Sequence, residues 1–128
     1  MRKLIKMTAV AATISMPLSI AVASDSNGNY EIYGVGGSPC HVFLTATGRD
    51  REDYVNWLTG FLTASNAMLS GTKDITPGSS AAKFLSIVWK QCRAFHDIPL
   101  SNAATTIATR LHDRLLANPN QNPYEAIE

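Results

Sequence analysis

Most of what marks an enzyme is missing from this sequence. Its three histidines, His41, His96 and His112, show neither H-x-x-H nor i, i+4 spacing, so no metal site is expected and no cofactor either. The glycine run Gly34-Val35-Gly36-Gly37 lacks both the GxGxxG spacing and a Walker lysine. It reads as a flexible turn and not as a phosphate cradle. Apart from Tyr30, Ile32 and Val35 there is no extended apolar stretch, hence nothing for a strand to pair with. Sheet architectures are excluded on that ground. Bases are scattered, which argues against a nucleic-acid partner or a membrane-surface patch.

What is present begins with an export signal. Arg2, Lys3 and Lys6 precede an apolar run from Met7 to Ile20, which closes on Ala21-Val22-Ala23. A basic start, a short apolar stretch and a small-x-small site are the parts of a cleavable signal peptide. The run is shorter than the ~20 residues that span a bilayer. Position 24 is serine and not the lipidated cysteine of a lipoprotein. Residues 1–23 are therefore expected to leave, with cleavage between Ala23 and Ser24, in a protein destined for the periplasm or beyond. No membrane association is expected after cleavage. The 11 bases less Arg2, Lys3 and Lys6 leave 8 against 10 acids, so the formal charge of +1 becomes −2.

About one hundred residues remain, enough for one domain with a modest core. Cys40 and Cys92 are the sole thiols, and in an oxidising compartment an even pair defaults to a disulfide. Closing that loop should stabilise the fold by roughly 4 kcal/mol on the chain-entropy model.

Residues 24–37 read as a flexible N-terminal segment, and residues 38–117 as four helices. Ser38 is expected to cap the first, with Pro39 at its first position, Cys40, Phe43 and Leu44 on one face, and Gly48 at its end. Asp50 is expected to cap the second. Its inner face would carry Tyr54, Trp57, Leu58, Phe61, Leu62, Ser65, Met68 and Leu69 at helical spacing. Gly60 within it costs about 1 kcal/mol relative to alanine, which a close helix crossing would explain. Residues 71–78 form a surface loop. The third helix starts near Ser79 or Ser80 and buries Ala81, Phe84, Leu85, Val88, Trp89, Cys92 and Phe95. The fourth, capped by Ser101, buries Ala104, Ile107, Ala108, Leu111 and Leu115. From Asn118 the chain is rich in asparagine and proline, so residues 118–128 are expected to trail as a disordered tail. The fold class is all-α, with Cys40 and Cys92 on inward stripes of two helices.

The chemical candidates are thin. Asp50-Arg51-Glu52-Asp53 offers carboxylates, but carboxylates at a helix start serve as caps and dipole partners. A Cys40 nucleophile served by His96 competes with the disulfide for the same sulfur. Trp57 and Trp89 sit at core spacing. The balance favours a binding protein over an enzyme, with no catalytic residue assigned.

The order Gly34-Val35-Gly36-Gly37-Ser38-Pro39-Cys40, then Phe43-Leu44, Tyr54-Val55-Asn56-Trp57-Leu58-Thr59-Gly60-Phe61-Leu62, Asn66, and Trp89-Lys90-Gln91-Cys92-Arg93-Ala94 resembles the Rap/Tai-type immunity proteins. Some of these small exported bacterial proteins neutralise cell-wall-cutting effectors delivered by type VI secretion. The wider group is similar to the periplasmic acid-stress chaperones HdeA and HdeB. The resemblance spans residues 33–117. It implies a four-helix HdeA-like domain, a Cys40–Cys92 bridge, and a central helix contact through Trp57, Gly60 and Phe61. As partners it implies a cognate effector, or a second copy in a homodimer. It also points to the loop 71–78, with Lys73, Asp74 and Ile75, as the contact surface. An acid-stress chaperone is the alternative function.

Overall fold

The computed structural model describes residues 24–125. The expected signal peptide, residues 1–23 with Ala23, lies outside them. The chain divides into two units, residues 1–30 and 31–128. In the first, Asp25 closes a local turn: its carboxylate accepts from the Asn27 and Asn29 amides, both at 2.8 Å, and from the Asn29 side chain at 2.9 Å. Those hydrogen bonds, the Asn29 side chain foremost, hold the Asp25 carboxyl below its ordinary value.

In the second unit the regular elements among the described residues are all helical, with no strand. A 3-10 turn at Gly34–Gly37 leads into α1 (Cys40–Thr45), α2 (Gly48–Met68), α3 (Ala81–Ala94) and α4 (Leu100–Ala117). α3 and α4 pack together, α1 packs on both, and α2 lies across α3 and α4.

The helix starts differ from expectation. Pro39 and Pro99, not Ser38 and Ser101, occupy the N-cap positions of α1 and α4, with extended backbone and no side-chain cap. The free helix-start amides are satisfied across the fold instead. Cys40 N–H donates to Ile98 O at 2.9 Å, His41 N–H to His96 O at 2.9 Å, and Leu100 N–H to Ser38 O at 2.9 Å. Pro39 and Pro99 thus face each other in an isolated antiparallel bridge. Backbone partners 55 to 62 residues away remove the need for a local serine cap. Ser101 is left buried with its hydroxyl unpartnered.

Two further boundaries move. α1 ends at Thr45, and Gly48, with φ of +55°, makes the sharp entry to α2. Thr47 precedes that helix, and Asp50 lies in its first turn, where its charge favours the dipole. Ser80 precedes α3, as expected.

The core is apolar and formed by all four helices. α4 contributes Ala104, Ile107, Ala108, Leu111 and Leu115, all expected, together with Leu100 and Ala103. α3 supplies Phe84, Val88 and Cys92 as expected, plus Ile87; Phe95 is 52% exposed and lies past the helix end. On α2 the fully buried stripe is Tyr54, Leu58 and Leu62. Trp57, Phe61, Ser65 and Leu69 are half-buried beside it, while Met68, expected on the same face, is 76% exposed because it lies at the end of α2.

The C-terminal segment is anchored, against the expected free tail. Tyr124 is 2% exposed and belongs to the core cluster. The Lys83 ammonium sits 5.5 Å from its ring centroid. Its hydroxyl is buried near Thr76 and Ser79 without a well-aligned hydrogen bond. Desolvation pushes the phenol above its ordinary value, only partly offset by those two side chains.

Candidate functional site

An open groove lies between α2 and α3. Arg51, Val55 and Thr59 form one wall at i, i+4, i+8, and Ala81, Ala82, Leu85, Ser86 and Trp89 form the other. Residues four apart share a helix face, so the α2 wall is a single row and the α3 wall two adjacent rows, Ala81-Leu85-Trp89 and Ala82-Ser86. The floor includes Phe43 from α1, whose ring meets the Trp89 ring edge-on with centroids 5.2 Å apart. The volume is about 550 Å³. Thr59 turns its hydroxyl back onto the Val55 carbonyl at 2.8 Å, so that hydroxyl is already satisfied. Arg51 is the one ionisable residue in the lining. Its guanidinium lies 4.8 Å from the Trp89 ring centroid, within cation–π range.

The residues singled out from the sequence fall elsewhere. Cys40 and Cys92 form a disulfide, with Cα atoms 5.0 Å apart and both residues fully buried. With no free cysteine, the Cys40–His96 hydrolase reading is excluded for this state of the protein. His41 instead places Nδ1 3.3 Å from the His96 carbonyl and 3.7 Å from an Asp97 carboxylate oxygen, in an exposed cluster. His112 meets the Ser70 carbonyl through Nε2 at 2.7 Å. No group of three metal-ligating side chains occurs among the described residues.

Of the expected Trp57-Gly60-Phe61 helix contact, Gly60 takes no part. A Cβ on Gly60 would find nothing within 4 Å, so the glycine is not required by packing. Trp57 stacks on Phe61 at 5.6 Å, and Phe61 on Phe84 at 6.4 Å, which joins α2 to α3. The close approach belongs to Gly36, which lies against the Trp57 indole. Trp57 Nε1 donates to the Tyr33 carbonyl at 2.9 Å, so this tryptophan straps the segment before α1 onto α2.

The expected contact loop is also built inward. Ile75 is fully buried, and Asp74 turns its carboxylate to the Thr76 amide and hydroxyl, both at 2.8 Å. Asn66 on α2 grips the same loop, accepting from Ile75 N–H at 2.9 Å. Of the three loop residues named, Lys73 alone is exposed. Ser24, at the expected cleavage point, is half-buried.

Sequence reading missed Val55 and assigned Arg51 to a helix-start charge cluster. The Arg51-Val55-Thr59 spacing was visible, but it borders the stronger aromatic stripe of the same helix. Compared with family models, with curated proteins and with solved structures, the chain finds no match.

Proposed function

We infer that this chain is an exported, non-catalytic binding protein of the immunity type, acting by capturing and blocking a cell-wall-degrading effector enzyme. One observation carries the reading. Both thiols are spent in a buried bridge, so the chain's best nucleophiles serve the fold. A disulfide of that kind persists in oxidising compartments. It therefore agrees with a cleaved signal peptide and a periplasmic destination. Four helices around one bridge suit the HdeA-like group, and the groove beside Trp89 leaves apolar surface open to a partner. The scattered histidines and solvated carboxylates offer no converging set for acid–base work.

The test is direct. Oxidised mature protein is titrated into cell-wall hydrolases of the amidase class, including any encoded beside its gene, and hydrolysis of purified peptidoglycan is followed. Saturable one-to-one binding with loss of hydrolysis supports the reading. A hydrolase that stays fully active at excess protein overturns it. Protection of a client from aggregation at pH 2–3, with no hydrolase inhibition, would assign the chain to the acid-chaperone alternative.

A further inference from the structure

We propose that the α2–α3 groove is the docking site for a helical segment of a protein partner that presents two apolar side chains and one carboxylate to it. The proposal rests on the binding-protein reading and names the chemistry of what is bound.

Size and charge complementarity point to that occupant. From Arg51 to Thr59 the α2 wall spans about 12 Å at the helical rise, two turns of a partner helix. Val55, Leu85 and the Trp89–Phe43 floor supply apolar surface for side chains one turn apart. Arg51 stands at one end of this surface. It has no carboxylate within ion-pair distance among the described residues. Its guanidinium lies over the Trp89 ring, and no hydrogen bond or ion pair engages its N–H edge among the described residues. That edge matches a carboxylate in bidentate geometry. Burying Arg51 under a partner without an acid would leave its charge unpaired. An acid-free helix is therefore disfavoured.

The same facts argue against other ligands. Glu52 lines the adjoining hollow beside Arg51, so a phosphate backbone would meet one cation next to an anion. The second apolar hollow, lined by Phe61, Met68, Leu69 and Ala108, carries no ionisable side chain to select an occupant.

The experiment is selection of a displayed library of twelve-residue helix-forming peptides on the full oxidised protein. Amide chemical shifts then map where the selected peptides bind. The expected consensus is Asp or Glu one turn from a pair of apolar residues, with shifts centred on Val55, Leu85 and Trp89. Changing the peptide acid to its amide should weaken binding about tenfold, which is about 1.4 kcal/mol. Arg51→Gln should remove that acid preference. Ala82→Glu, on an exposed position of the facing wall, should weaken acidic peptides while leaving the thermal midpoint unchanged. No enrichment, an acid-free consensus, or shifts mapping elsewhere would overturn the proposal. The two readings fail separately. Hydrolase inhibition surviving in Ala82→Glu removes the groove but keeps the binding protein. Acidic peptides seated in the groove without any hydrolase inhibition keep the groove and remove the immunity reading.

Discussion

Gly36 is buried flat against the indole of Trp57, and the same indole hydrogen-bonds the Tyr33 carbonyl at 2.9 Å. A methyl group at residue 36 would overlap the six-membered ring. The strap before α1 is therefore seated by a residue that has no side chain. Gly36→Ala should cost about 1–3 kcal/mol, the usual range for overpacking. Gly60→Ala, in an open helical position, should instead be neutral or stabilise by up to about 1 kcal/mol. Urea unfolding of both variants decides. Equal effects would mean that Trp57 simply swings aside.

The disulfide joins residues 52 apart in sequence, and Cys40 N–H also donates to the Ile98 carbonyl. One residue thus ties α1 to α3 covalently and to the α3–α4 connection by its backbone. Replacing both cysteines by alanine should cost about 2–5 kcal/mol. The backbone bonds between α1 and the 96–100 segment should persist. Amide exchange in the alanine variant checks this: slow exchange at Leu100 with a lowered urea midpoint is the expected pair of results.

The loop 71–78 should respond as core. Ile75→Ala is expected to cost about 2–5 kcal/mol, as for a fully buried aliphatic side chain. Lys73→Ala should stay within about 0.5 kcal/mol, as an exposed surface change. Asp74→Ala should fall between, at about 1–3 kcal/mol, since it leaves the part-buried Thr76 amide without its acceptor. Thermal denaturation of the three variants gives the order directly.

How legible these features were depended on whether their partners were near in sequence. The inner face of α4, Ala104 through Leu115, follows from helical spacing alone because every residue on that stripe is apolar. On α2 the apolar stripe is wider than the surface covering it. Spacing could not tell that Tyr54, Leu58 and Leu62 take the centre while Trp57 sits at the edge. The indole N–H favours that edge, where it reaches a carbonyl. The proline N-caps were hidden because their hydrogen bonds run between residues 38–41 and 96–100. Ile75 was hidden because a single apolar residue in a polar loop has no periodicity. The groove was hidden because it needs α3 opposite α2, and no local pattern specifies that pairing.

Tyr124 closes the fold from the far end of the chain, and its two parts should separate cleanly. The ring is buried against the start of α3 and the preceding loop, so Tyr124→Ala should cost about 3–5 kcal/mol. The hydroxyl is buried without a well-aligned partner, so Tyr124→Phe should be close to neutral or stabilising. The phenol also carries a pH signature. Desolvation raises its folded-state pKa above the usual value near 10, so above that pH the folded state holds a proton that the unfolded chain has released. Its contribution to stability is complete below the unfolded pKa and is lost as pH rises through the raised folded value. The wild type should therefore lose stability on the alkaline side relative to Tyr124→Phe, with the two curves parallel at neutral pH. Urea midpoints measured from pH 7 to 11 would show it, and curves that stay parallel throughout would mean that the phenol is solvated and the tail unlatched.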